Sequence, residues 1–161
     1  MPEQFIARSP ADLPTPSAIS AMSGLEYMRA ILDGSMAGAP IAGVMDFYLH
    51  AVEEGRVAFR GTPRFEHLNP MGGVHGGWYG TLLDSALGCA VATTLPKGRV
   101  YTTLEYKVNI TRALPPGMLV EAEARATHAG RSTGVAEGWL RGVEDGKLYA
   151  TGSTTCIIMQ V

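Results

Sequence analysis

The chain is poor in cysteine, in aromatic side chains and in charge of either sign. Its two cysteines, Cys89 and Cys156, both sit in apolar runs, where they read as small buried hydrophobes rather than as a disulfide framework. No CxxC pair or Cys/His spacing suggests zinc, and His50, His67, His75 and His128 form no close ligand cluster, so neither a metal nor another cofactor is expected. A formal charge of −2 leaves no basic surplus, which gives no reason to expect a nucleic-acid partner. An anionic ligand would have to be held by local groups. There is no GxSxG elbow, so a serine-triad esterase is not expected. No segment has the uninterrupted apolar length that a membrane helix needs. The start, Met1-Pro2-Glu3-Gln4-Phe5, shows no basic stretch followed by a long apolar one, which argues against a signal peptide. The expectation is a cytoplasmic protein with no membrane partner.

What the chain does have is enough apolar material for one domain, 46% of 161 residues. Pro2, Pro10, Pro14 and Pro16 fall within residues 1–20, which are predicted to form an extended arm. Residues 21–161 are predicted to form the domain, beginning with a helix. Ser23-Gly24-Leu25-Glu26 has the form of a capping box, with Leu25, Met28 and Leu32 at helical spacing behind it, so a helix is expected at about 23–33. Residues 41–53 read as a strand and 56–62 as its antiparallel partner. Residues 75–95 carry apolar side chains around nearly the whole circumference of a helix, which predicts burial on most sides.

The remainder reads as strands over 101–112, 118–128, 132–143 and 147–159, with turns at Pro115-Pro116-Gly117, Ala129-Gly130 and Asp145-Gly146. In the first of these, strict alternation would place Thr102, Leu104, Tyr106, Val108 and Ile110 on one face and Thr103, Glu105, Lys107, Asn109 and Thr111 on the other. An antiparallel sheet needs a cover for its apolar face, and only the 75–95 helix is apolar enough to supply it. The predicted class is α+β, with an antiparallel sheet wrapped around one long central helix.

The chemistry is concentrated in Asn69-Pro70-Met71-Gly72-Gly73-Val74-His75-Gly76-Gly77 and in Asp84. Glycines let a backbone approach a ligand. The first N–H groups of a helix lack intrahelical partners and carry partial positive charge, so such a helix start can hold a carbonyl oxygen that becomes negative during a reaction. Asp84 is the only residue between Gly76 and Leu95 that carries a charge at neutral pH. A buried carboxylate without partners is costly, so Asp84 must meet a donor, reach a cleft or face another subunit. Gly77, Gly80, Thr81 and Gly88 share its helical face, and that face of small side chains suits a ligand channel or a close subunit contact. The alternatives are local: Thr81 or Ser85 could satisfy Asp84, His75 and Asn69 could serve only as cap and turn, and the glycines could simply permit close helix–sheet packing.

The ordered combination Asn69-Pro70-x-Gly72-x-x-His75-Gly76-Gly77, with Asp84 nine residues after the histidine, resembles hot-dog-fold acyl-CoA thioesterases of the PaaI type. Thr103-Leu104-Glu105-Tyr106-Lys107-Val108-Asn109 is similar to that family's strand after the central helix, and Gly130-Arg131-Ser132 to its turn between late strands. The resemblance covers about residues 40–159. It implies that Asp84 is the general base or nucleophile and that the Gly76 N–H polarises the thioester carbonyl. It further implies that Asn69 positions water or substrate, that His75 and Gly77 lie beside the thioester, and that Thr103 stands near the reacting water. Arg131 and Ser132 would contact the phosphates of CoA. It implies a homodimer or homotetramer with sites at the subunit interface. Arg112, followed by Ala113-Leu114-Pro115, departs from the family's usual spacing to proline. An acyl-CoA sensor without hydrolysis and an enoyl-CoA hydratase are the competing readings.

Overall fold

The structure is a computed structural model that describes residues 4–161. In chain order it contains α1 (Pro16–Ser20), α2 (Gly24–Leu32), α3 (Pro40–Val44), β1 (Phe47–Glu53), β2 (Arg56–Gly61), α4 (Gly76–Ala92), β3 (Arg99–Ile110), β4 (Val120–Ala129), β5 (Thr133–Gly142) and β6 (Leu148–Gln160). The strands form one six-stranded sheet in the order β1-β2-β4-β5-β6-β3, and every neighbouring pair is antiparallel. The sheet curls around α4, which packs against β2, β4, β5, β6 and β3. This is the hot-dog arrangement that the resemblance implied.

Local chemistry explains most of the elements. Ser23 caps α2 through the Glu26 N–H while the Glu26 carboxylate accepts the Ser23 N–H, the reciprocal capping box expected from the sequence. In α4, Trp78, Leu82, Leu83, Ala86, Leu87, Ala90 and Val91 are almost wholly removed from solvent, and each fully buried Leu or Val contributes about 1.5–3 kcal/mol relative to exposure. Trp78 satisfies its indole N–H on the Met45 carbonyl at 2.9 Å.

Three expectations need correction. Residues 41–44 are not strand: Pro40 opens a short helix at its first position, where a missing N–H costs nothing. β1 begins only at Phe47, after Asp46 turns the chain with a positive φ of 52°. Asp46 is buried there and ion-paired with Arg64. The expected arm over residues 1–20 is helical in part, with a single turn at Pro10–Asp12 ahead of α1; its first three residues lie outside the described part.

The third correction concerns β3. Its pairing with β6 shifts register between Thr103 and Glu105, a β-bulge at Leu104. A bulge inserts one residue and reverses the alternation beyond it. Tyr101 and Thr103 therefore face α4 before the bulge, and Tyr106 and Ile110 face it afterwards. Thr102 and Leu104 point outward and are exposed. The uniform alternation read from the sequence had put Thr103 and Tyr106 on opposite faces.

Candidate active site

Asp84 lies two turns into α4, half-buried, and its carboxylate Oδ1 accepts a hydrogen bond from Thr103 Oγ1 at 3.1 Å. Thr81 and Ser85 do not satisfy it. Their hydroxyls donate to the Gly77 and Thr81 carbonyls, each at 2.9 Å, in the back-bonding pattern common to helical Ser and Thr. Burial raises the Asp84 pKa above the ordinary carboxylate range, and the Thr103 hydrogen bond lowers it in part. The carboxylate is thus a stronger base than a surface aspartate, held at one oxygen.

The small residues beside Asp84 have an intrachain purpose. A Cβ at Gly88 would stand 2.7 Å from the Tyr101 ring, and one at Gly80 3.3 Å from the Tyr106 hydroxyl. The absence of side chains at these two positions lets β3 lie close along α4. Tyr101 sits over Gly88, Thr103 over Asp84 and Tyr106 over Gly80. The helix repeat of four residues, about 6 Å, matches the roughly 6.6 Å between alternate strand residues. That part of the small-residue face is filled by the chain's own tyrosines.

What the sheet leaves open is a neighbouring stripe. Along α4 only Gly76, Gly77, Thr81, Asp84, Ser85 and Cys89 escape full burial. The stripe runs in the gap between the two ends of the curled sheet, β1 and β3. At its start lies an open cavity of about 350 Å³ bordered by His67, His75, Gly77, Trp78 and Thr81. Further along is an apolar cavity of about 210 Å³ whose walls include Asp84, Ser85, Cys89, Tyr101 and Thr103. Burial pushes the Cys89 thiol up to about 12, so it takes no part as a thiolate.

The helix start is built by the preceding loop. Asn69 Oδ1 accepts the N–H groups of Met71 at 2.9 Å and Gly73 at 3.2 Å, and the Asn69 N–H donates to the Gly73 carbonyl at 2.8 Å. Gly72 completes the turn at φ 80°, a conformation that favours glycine. His75 then caps α4, its Nδ1 accepting the Gly77 N–H at 2.9 Å. The Gly77 N–H is therefore taken. The Gly76 N–H, at the first helical position, has no intrahelical acceptor and is the donor that a ligand oxygen could use.

The structure places the expected residues in three locations, not one. Asn69, His75, Gly76 and Gly77 cluster at the helix start, and Asp84 and Thr103 pair farther along. Eight residues of helix separate Gly76 from Asp84, about 12 Å, too far for both to touch one carbonyl. Arg131 and Ser132 form a third location near the C-terminal end of α4, where the Arg131 carbonyl accepts from Arg99 Nη1 at 3.2 Å. Arg99 and Arg131 share a cavity of about 230 Å³ with Thr94 and Ile158. Arg99 and Tyr101 were missed from the sequence. Tyr101 was findable as the residue two before Thr103, on the same side of a strand.

Comparison with known proteins bears on the family and the fold. The model of the thioesterase superfamily matches residues 71–149. A solved structure from Ralstonia eutropha, provisionally described as a thioesterase and as a phenylacetic acid degradation-related protein, is 31% identical. It covers 81% of this chain and 98% of its own, with a TM-score of 0.74. The phenylacetic acid degradation protein PaaI of Thermus thermophilus, solved as a point mutant, is 27% identical over 73% of this chain and 97% of its own, with a TM-score of 0.67. A Caenorhabditis elegans protein provisionally named an esterase is 28% identical over 110 residues. That match spans 68% of this chain and 64% of the relative's length.

Proposed function

Because the chain belongs to the thioesterase superfamily, as a hot-dog protein of the PaaI type, we propose that it is a cytoplasmic acyl-CoA thioesterase that works as a homodimer or a pair of dimers. The observation that carries the proposal is the half-buried Asp84 carboxylate with raised pKa, held by Thr103 and opening onto a cavity.

A thioester carbonyl needs an activated water and a polarising donor. Asp84 takes a proton from water as the oxygen attacks the carbonyl carbon. The developing oxyanion is held by a Gly76 N–H, worth about 3–4 kcal/mol in comparable hydrolases. The C–S bond then breaks and the CoA thiolate recovers the proton from Asp84.

The two groups stand about 12 Å apart along one helix, so the Gly76 comes from a second copy. A two-fold axis that brings Asp84 of one protomer to Gly76 of the other passes near Gly80, midway between them. Tyr106 covers Gly80, and Tyr106 and Leu104 are 46% and 60% exposed on β3, an end strand of the sheet. Pairing of β3 with its symmetry mate would cover them. The same operation carries Arg99 and Arg131 of one protomer toward the 69–75 loop of the other, where they suit the phosphates of CoA.

Thiol release from a panel of acyl-CoA thioesters, with wild type against Asp84→Asn, tests this. Steady release abolished by the substitution supports hydrolysis. Tight binding with no release would make the protein a sensor, and loss of enoyl absorbance without free thiol a hydratase. A single turnover in ¹⁸O-water separates base from nucleophile, since label found in Asp84 would mean a covalent anhydride.

A further inference from the structure

The N-terminal segment lies outside the region matched by the superfamily, yet it roofs the apolar cavity beside Asp84. Met28 and Ile31 from α2, Ala42 from α3 and Ile6 close the side that the curled sheet leaves open. The roof is fastened at several points. Gln4 clamps the outer edge of β1, its side-chain amide donating to the Leu49 carbonyl and its Oε1 accepting the Leu49 N–H at 3.1 Å. Ala7 N–H donates to the Gly38 carbonyl at 3.0 Å and Gly38 N–H to the Phe5 carbonyl at 2.8 Å. Gly24 docks α2 on the end of α4, its N–H donating to the Leu95 carbonyl at 2.9 Å. These bonds hold the roof in place, so the cavity has a fixed end.

Inside, the walls are mostly apolar; the polar side chains are Asp84, Ser85, Tyr101 and Thr103 at one end and Gln4 at the roof, and the Gln4 amide is already bonded to the Leu49 main chain. An occupant would therefore place a polar, reacting end at Asp84 and an apolar body under the roof. A cavity of ~150 Å³ holds benzene, about 25 Å³ per carbon. On that scale the 210 Å³ found here takes about eight carbons.

Resting on the thioesterase reading, we propose that this roofed cavity is the acyl pocket and that Met28, Ile31 and Ala42 set its length limit. The substrate class is a compact apolar acyl group of up to about eight carbons, a single aryl ring on a short linker included, and long-chain acyl groups are excluded. The acyl group enters the protomer that supplies Asp84, while CoA leaves across the subunit boundary.

The test is kcat/KM for butyryl-, octanoyl-, phenylacetyl- and palmitoyl-CoA. Wild type should favour octanoyl and phenylacetyl over palmitoyl by about 100-fold or more, the scale of a well-formed apolar pocket. Ala42→Leu, which shortens the cavity, should lower the octanoyl-to-butyryl ratio about tenfold. Ile31→Ala, which lengthens it, should raise the palmitoyl-to-octanoyl ratio by a similar factor. Palmitoyl turnover within twofold of octanoyl, or ratios unmoved in both folded variants, would overturn the proposal. Should wild type release no thiol from any ester, the same comparison is made by calorimetry. Octanoyl-CoA binding at least about tenfold tighter than CoA, with palmitoyl-CoA no tighter, upholds the pocket while the hydrolase reading falls; equal binding of CoA and octanoyl-CoA sinks the pocket as well.

Discussion

Thr103 Oγ1 donates to Asp84 Oδ1 at 3.1 Å, joining a strand residue to the single acidic or basic side chain of the central helix. The bond leaves the other carboxylate oxygen for water and opposes the effect of burial on the Asp84 pKa. Asp84→Asn should cost about 10²–10⁴-fold in kcat, the usual range for a general base, with circular dichroism unchanged. A variant retaining a tenth of wild-type activity would remove Asp84 from the reaction.

The raised pKa has a sign that can be checked. Asp84 must be ionised to act as a base, so kcat falls as pH drops through its folded pKa, above the ordinary carboxylate value. Thr103→Val removes the lowering hydrogen bond, and the acid limb of the pH–rate profile should move to still higher pH. Because the folded pKa exceeds the unfolded one, the folded state binds more protons between the two values, and stability declines as pH rises through that window. At neutral pH Asp84→Asn should therefore raise Tm by on the order of a few degrees, an effect absent below the unfolded pKa.

Gly76 can be tested through its N–H alone. It occupies the first helical position, where proline is accepted, and His75 before it is extended at ψ 136°, as a residue preceding proline requires. Gly76→Pro should fold normally and lose about 10²–10³-fold in kcat, the value of one oxyanion donor. Gly76→Ala, which keeps the N–H and meets only Ile110 at 3.5 Å, should be at least about tenfold more active than the proline variant.

Mixing the two inactive proteins probes the shared site. In a heterodimer of Asp84→Asn and Gly76→Pro one site carries both substitutions and the other neither. Random exchange of protomers should restore about a quarter of wild-type activity. No recovery after verified exchange would place both groups in one chain and contradict the two-fold arrangement.

The close approach of β3 to α4 gives a stability prediction. Gly88→Ala sets a methyl 2.7 Å from the Tyr101 ring, and overpacking of this kind costs about 1–3 kcal/mol. The displaced strand should also weaken the Thr103–Asp84 bond. Chemical denaturation and kcat read the two effects separately, and an unaffected midpoint would show that Tyr101 yields freely.

The sequence made some of this legible and hid the rest for physical reasons. Ser23 and Glu26 announced α2 because a capping box is a local signal. The apolar circumference of residues 75–95 announced a wrapped helix, which the structure bounds at Gly76–Ala92. Leu104 gave no sign of its bulge, because an inserted residue breaks an alternation without changing its composition. Residues 41–44 read as strand because Val44 was joined to the apolar pattern of Phe47 and Leu49, while the place of Pro40 at a helix start depends on the extended residue before it. Gly80 and Gly88 were read as room for a ligand or a second subunit, but what lies over them, Tyr106 and Tyr101, comes from the chain's own strand more than a dozen residues away. The roof over the apolar cavity was invisible for the same reason: Gln4 and Leu49 meet only in three dimensions.

The Gln4 clamp on Leu49 reaches beyond the pocket. It occupies main-chain groups at the outer margin of β1, where a foreign strand would otherwise begin to pair, while β3 at the opposite end stays bare. A sheet blunted at one rim can recruit a neighbour only at the other, and when two such rims meet face to face by symmetry nothing remains to extend. The tether that closes the cavity thus also biases the chain toward a finite assembly instead of a fibre.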